Sequence, residues 1–332
     1  MDEWRPDVLA AIPVVPDERR VAVSRATVAQ AVALGATAAM LWWLAHNTQT
    51  NLDQRGLSLG FGFLRQPANF EIADTSGIPF SPDDSFGRAI LIGLANTARV
   101  SAIACALSIA IGFVLGLLRL STNPAWRGIV RAGVELMRNT PLLLLLLFLA
   151  AVLHTMPGPK NAFEPFPGVF LSDRGLVLPL FDRPRLVGFN FVGGVALSPE
   201  LAALVGALVM HHSAQVSEIV RGAILGVARA QHDAATALGL SRFQTMRFVI
   251  VPQALRAMLP LLATTCVSLT KNSSLAVAIG FPDVVSILNT TSNQTGHGIE
   301  TMLIMVAVYL SLSLVTAAMI NRYNARLLAV GG

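Results

Sequence analysis

The sequence predicts an all-α integral membrane protein, a bundle of about six spanning helices, and three observations predict it. Hydrophobic residues make up 54% of the chain and charged residues 13%, about half the charged share of an average soluble domain. The mean hydropathy is +0.62, and the apolar residues come in long runs that a soluble core could not use. Basic residues collect in every second segment between those runs, the asymmetry that orients a bundle in a bilayer.

Hydrocarbon about 30 Å thick needs about 20 apolar residues of helix, at about 1.5 Å per residue. The first candidate span runs roughly from Thr27 to His46, and the second from about Val100 to Leu118 with a more polar approach from Phe86. The third starts at Pro141 and ends near Met156, and the fourth covers about Leu201 to Ser217. The fifth, Pro260 to Gly280, is interrupted by Lys271, whereas the sixth, Thr301 to Ile320, carries no charge.

Short loops rich in Lys and Arg stay in the cytoplasm. With the N-terminus inside, the inner segments hold Arg5, Arg19, Arg20 and Arg25, then Arg119, Arg127, Arg131 and Arg138, then Arg221, Arg229, Arg242, Arg247 and Arg256, and finally Arg322 and Arg326. The outer segments hold Arg55, Arg65, Lys160, Arg174, Arg183 and Arg185. Fifteen against six predicts both termini in the cytoplasm. The first run is too long for the core of a cleaved signal peptide and ends in Trp42-Trp43 without a small-x-small site. It reads as a retained anchor with tryptophans at the outer interface.

Two outer segments are long. Residues 47 to 85 are rich in Asn, Asp, Gly and Pro, and the proline density of 157 to 199 forbids continuous helix there. Segments this long are expected either as irregular cover for the bundle or as a docking surface for an extracytoplasmic partner.

The composition excludes several functions. Cys105 and Cys266 lie in apolar runs and build neither a disulfide framework nor a zinc site. No basic, aromatic-interleaved tract suggests nucleic acid. The two lysines, Lys160 and Lys271, follow Pro159 and Thr270, so no Gly-x-x-x-x-Gly-Lys-Ser/Thr phosphate loop exists. Any ATP must be hydrolysed by a partner.

Between the fourth and fifth spans, residues 230 to 252 read as a helical hairpin. Asp233 to Leu238 is Ala-rich, Gly239 suits a helix C-terminus, and Ser241 with Gln244 makes a capping box that starts a second helix. Pro252 is expected to break or kink that helix. Small Ala234, Ala235 and Gly239 allow close approach by a partner, and Leu238 and Phe243 offer apolar anchors. The bland alternative is an amphipathic loop on the membrane surface.

This segment resembles the signature cytoplasmic loop of ABC-importer permeases: Glu-Ala-Ala, three residues, Gly, nine residues, Ile-x-Leu-Pro. The matching positions are Asp233, Ala234, Ala235, Gly239, Val249, Val251 and Pro252, with Asp for Glu and Val twice for Ile and Leu. Glu135 to Leu143, Glu218 to Ile224 and Lys271 to Ala276 look like stretches of permeases for polar amino acids, closest to those of general L-amino-acid uptake systems. The resemblance covers roughly 86 to 325. It implies a type I ABC-importer transmembrane bundle with short coupling helices at about 229 to 252. The preceding residues 1 to 85 would hold a tail, an anchor and an outer segment, and 326 to 332 a C-terminal tail.

The resemblance also implies partners: a second permease chain, two ATPase subunits carrying ATP and magnesium, and an extracytoplasmic amino-acid-binding protein, all in the cell inner membrane or against it. No cofactor is expected in this chain itself. Two other classes remain open, an ion-coupled transporter with a proton path through His211, His212 and Glu218, and a non-transporting membrane scaffold.

Polar groups inside the spans are the substrate-path candidates. His211, Gln215 and Glu218 recur at i, i+4 and i+7 on one helix face, pointing either at a cavity or at a polar seam between helices. Glu218 and Arg221 are spaced to pair. Thr140 and Pro141 fit the first cap and first turn of the third span. Lys271 is costly near mid-membrane. With Asn272, Ser273 and Ser274 it suggests a broken helix able to bind an anionic group, while a pair with Glu300 or snorkelling to an interface would satisfy it equally.

Overall fold

The computed structural model describes residues 18–54 and 60–329. Arg5 and the rest of residues 1–17 lie outside the described residues, as do Arg55 with the residues up to 59, and 330–332. The chain divides into two units, one ending at Leu59 and one beginning at Gly60.

In the first unit a single helix, α1, runs Glu18–Gln54, longer at both ends than the apolar run alone indicates. Its Thr27–Asn51 stretch is long and apolar enough to span. Val28, Val32, Leu34 and Met40 are all exposed on it, as a lipid-facing helix requires. Trp42 stacks on His46 with ring centroids 5.5 Å apart.

The second unit is built on α2 (Phe86–Leu118) and α5 (Pro199–Leu225). Ser85 caps α2 by accepting from Arg88 N at 3.3 Å, so the helix starts well before its most apolar part. The two helices pack along their lengths because Gly112 and Gly116 turn a side-chain-free strip toward Val216 and Val220 of α5. Around them stand α4 (Leu142–His154), α8 (Val251–Asn272) and α10 (Gly298–Ala329). Leu145, Leu146, Leu204, Leu208 and Leu269 form one core. Val216, Val220, Ile250, Ala254 and Met258 form a second, nearer the other end.

Among the described residues four stretches are long and apolar enough to cross a membrane: Thr27–Asn51, Phe86–Leu118, Arg242–Ile279 and Gly298–Ile320. The third expected span is instead a bent pair, α3 (Pro124–Asn139) and α4, meeting at 103°. Pro141 forces Thr140 into extended backbone (ψ 124°) and so ends α3. Thr140 is therefore not the cap of the third span: its hydroxyl donates back to Leu136 O at 2.8 Å. The fourth expected span, α5, is long enough but carries Glu200, His211, His212, Glu218 and Arg221. It tolerates them because neighbouring helices, rather than lipid, cover most of its surface.

Residues 157 to 199 are not irregular. Short strands β1 (Phe163–Phe166), β2 (Val169–Ser172), β3 (Gly175–Leu178) and β6 (Val195–Leu197) form an antiparallel sheet in the order β1-β2-β3-β6. β4 (Arg185–Val187) pairs with β5 (Asn190–Val192) as a separate hairpin. Phe170 and Phe191 stack at 4.6 Å between the two. The prolines do exclude helix, and the short runs between them pair instead. Gly175, at φ +104°, allows the closest turn, since a Cβ there would overlap Leu197 O.

Helix ends within this unit sort into two sets. At one end Phe63 packs against Phe86 and His297, and Glu300 accepts from Gly60 N at 2.9 Å. Buried Asn96 donates to Asp74 O at 2.7 Å and Pro282 O at 2.8 Å, tying the 60–85 segment and the start of α9 (Val284–Thr295) to α2. At the other end Glu218 gathers Arg119 and Arg221.

Candidate functional site

The segment after α5 folds as the hairpin its residues dictate. α6 (Arg229–Ala237) ends in Leu238 and Gly239, with Gly239 at φ +75°. Leu240 N donates to Ala235 O at 3.1 Å and Gly239 N to Thr236 O at 2.9 Å, the paired bonds that satisfy the last carbonyls of a helix closed by left-handed glycine. Ser241 then opens α7 (Arg242–Gln244) with a complete capping box: Ser241 N donates to Gln244 Oε1 at 2.9 Å, and Gln244 N to Ser241 Oγ at 3.3 Å.

Pro252 does not break the second helix of the hairpin. A π-helical turn, Thr245–Ile250, carries α7 directly into α8, with Val251 N reaching back to Met246 O. Pro252 sits in the first turn of α8, where its missing N–H matters least. The second helix of the hairpin and α8 are thus one continuous helical body.

Leu238 and Phe243 are 80% and 70% exposed at the hairpin's tip, and Asp233, Ala234, Gly239 and Pro252 are exposed with them. Ala235 is 2% exposed, so its methyl packs inside the chain and the outward face is made by the others. A Cβ at Gly239 would meet nothing within 4 Å. Its glycine is demanded by backbone conformation here, not by a neighbour in this chain.

The polar groups of the spans fall into separate places. Gln215 Nε2 lies 3.0 Å from His211 Nε2. Gln215 and Glu218 line a cavity of about 750 Å³ that also includes Arg138, Gln253 and Thr265, between α5 and α8. Glu218 accepts from Arg221 at 2.7 Å and from Arg119, with Arg138 at 3.9 Å. Sequence spacing pointed only to Arg221; that Arg119 and Arg138 end neighbouring helices was the available signal for the rest.

Lys271 is elsewhere, exposed beside a different cavity of about 470 Å³ that Ser268 of α8 and Ala317 of α10 also line. Glu300 is spoken for by Gly60 N and His297 Nδ1, each at 2.9 Å, so the Lys271–Glu300 pair is not made. Nor is the helix broken there. α8 passes into a 3-10 stretch, Ser273–Ile279, with Ser273 N still bonded to Leu269 O. Ser273 and Ser274 turn their hydroxyls back onto Thr270 O and Lys271 O, and Asn272 Nδ2 reaches His212 Nε2 at 3.4 Å. That contact joins α8 to α5 and had no signal in spacing.

Residues 108–329 match the family model described as the binding-protein-dependent transport system inner membrane component. The chain belongs to this family. Among its relatives are YhdX of Escherichia coli (strain K12), provisionally named an amino-acid ABC transporter permease protein, 38% identical over 92% of this chain and 95% of that one. The general L-amino acid transport system permease protein AapQ of Rhizobium johnstonii is 35% identical over 87% and 89%. A crystal structure described as an amino acid ABC transporter with histidines shares the fold at a TM-score of 0.56, with 24% identity over 73% of this chain and 95% of that one. The methionine ABC transporter MetNI, in an inward-facing form, gives 0.53 at 16% identity over 72% and 96%. As an inner-membrane permease component of ABC importers, the chain supplies the spanning helices, and its family works with ATPase subunits and substrate-binding proteins.

Proposed function

We propose that this permease carries L-amino acids inward, paired with a second permease chain, related or identical, and driven by two ATPase subunits that seat on the 229–252 hairpins. The observation that carries the reading is the outward pair Leu238 and Phe243 on a hairpin whose turn is closed by the Gly239 C-cap on one side and the Ser241 capping box on the other. Large apolar side chains held on a rigid, exposed turn suit a groove in a partner. The names of the relatives support amino acids as the cargo.

In this reading ATP and magnesium sit on the partners, and this chain binds no cofactor. Both termini and the hairpin face the cytoplasm, while the strands at 163–197 face outward toward the delivering binding protein. ATPase closure drives the hairpins together and rocks α5 and α8 as rigid bodies, opening the cavity beside Gln215 and Glu218 to alternate sides. Lys271, beside the other cavity, and Asn272 ride on the same moving α8, with Ser273 and Ser274 just past its end, while His211 holds Gln215.

Uptake of labelled amino acids into membrane vesicles tests it. Loss with vanadate but not with a proton uncoupler is expected; the reverse pattern selects an ion-coupled carrier running through His211, His212 and Glu218. Single cysteines placed between 229 and 247 should resist an impermeant reagent added outside intact spheroplasts, and labelling from outside would overturn the orientation.

A further inference from the structure

A third cavity, about 530 Å³, opens between the end of α2, α3 and α5. Five arginines line it: Arg119, Arg127, Arg131, Arg138 and Arg221. Its two carboxylates are already engaged, Glu218 by Arg119 and Arg221 and Glu135 by Arg131 at 2.7 Å. Three positive charges therefore remain uncompensated. Among the described residues Arg127 has no acidic side chain within ion-pair distance, and Arg138 reaches Glu218 only at 3.9 Å. Arg221 Nε is buried without a hydrogen-bond partner. Guanidinium donors converging on a polar cavity favour an oxyanion able to take several of them at once.

The position of α3 says where such an anion comes from. It leaves α4 at 103°, so it runs across the end of the bundle, along the membrane surface. Trp126, Ile129 and Leu136, at 58%, 67% and 61% exposure, share one of its faces, and Arg127, Arg131 and Arg138 share the opposite one. An amphipathic helix of this kind lies at headgroup depth with its apolar side chains in the acyl boundary.

We propose that this pocket binds a phosphate group, supplied by an anionic phospholipid headgroup or by free phosphate. Arg127, Arg131 and Arg138 are its recruiting charges, whereas Arg119 and Arg221 keep the pocket's back wall in place through Glu218. The site touches neither the hairpin tip nor Lys271.

The test uses the full chain purified with the subunits that accompany it, placed in nanodiscs of equal phosphatidylcholine and phosphatidylglycerol. Native mass spectrometry counts the lipid retained. The wild type should keep phosphatidylglycerol preferentially. Arg127→Gln with Arg131→Gln, both at exposed positions, should lower that preference roughly fivefold for each arginine removed, and Arg127→Lys with Arg131→Lys should restore most of it. In a second arm, inorganic phosphate is added in phosphatidylcholine alone and the melting midpoint is read. Lipid selectivity lost in the glutamine variant with no phosphate effect in the wild type assigns the headgroup. A phosphate-dependent rise that the glutamine variant lacks, with lipid retention unchanged, assigns free phosphate. Wild type and glutamine variant behaving alike in both arms overturns the proposal.

Discussion

Gly112 of α2 lies so close to Val216 of α5 that a Cβ added to the glycine would sit 2.5 Å from the valine Cβ and 2.7 Å from Ser213 O. Backbone cannot yield there, so Gly112→Ala is expected to pry the two central helices apart at a cost of about 1–3 kcal/mol. Gly128→Ala on α3, where nothing lies within 4 Å, should be neutral or slightly stabilising. Melting midpoints and membrane yield of the two variants check this, and equal behaviour would contradict the close packing.

The hairpin tip yields a prediction that separates docking from folding. Phe243→Ala removes an exposed ring and should leave thermal stability unchanged while weakening ATPase co-purification roughly 30-fold, an anchor loss of about 2 kcal/mol. Gly239→Asp should cut both retention and ATP-driven uptake, and Gly239→Asn should cut them less, because asparagine tolerates the left-handed region better than most residues. Retained stoichiometry and normal uptake in Phe243→Ala and Gly239→Asp together would remove the hairpin as the coupling element.

Asn272 bridges to His212, a 0% exposed imidazole whose Nδ1 is 3.0 Å from Leu208 O. With Nδ1 donating to that carbonyl, Nε2 accepts from Asn272. Asn272→Leu leaves the nitrogen unpaired between α5 and α8, and a loss of about 1 kcal/mol is expected, near the upper part of the range measured for interhelical bonds in membranes. Unfolding in mild denaturing detergent reads it out, with His212→Phe in the same background showing no further loss.

Asp283 gives a pH dependence. Burial pushes its carboxyl up to about 6 from an ordinary 3.8, although it caps α9 by accepting from Ser286 N at 2.8 Å. The folded state therefore holds this proton more tightly than the unfolded chain. Its contribution to stability is complete below about 3.8 and disappears as pH rises through about 6. The melting midpoint should fall as pH rises from about 3.8 to about 6 and level off above that, and Asp283→Asn should flatten that slope.

Much of this was legible in the chain. Hydrocarbon thickness located the apolar spans, and the hairpin announced itself through Gly239, Ser241 and Gln244, whose local hydrogen bonds need nothing from the rest of the fold. What stayed hidden depended on distant partners. α5 looked short because its polar residues are sheltered by helices far away in sequence. The strands near Phe170 are only four residues long, too short for periodicity between prolines. Glu218 advertised Arg221 but not Arg119, which reaches it from another helix, and the Lys271–Glu300 pairing failed because His297 and Gly60 already satisfy the carboxylate.

The π turn at Thr245–Ile250 holds one residue more than an α-helical turn would over the same stretch. That surplus works as slack in the chain's numbering. Removing a single residue there would let the turn tighten to ordinary α geometry while Ala254, Met258 and Leu262 keep facing the core. The same deletion a few residues later would swing that buried stripe by about 100° and turn it out toward lipid. The length of chain between hairpin and core is thus tolerant at one place and rigid just beyond it.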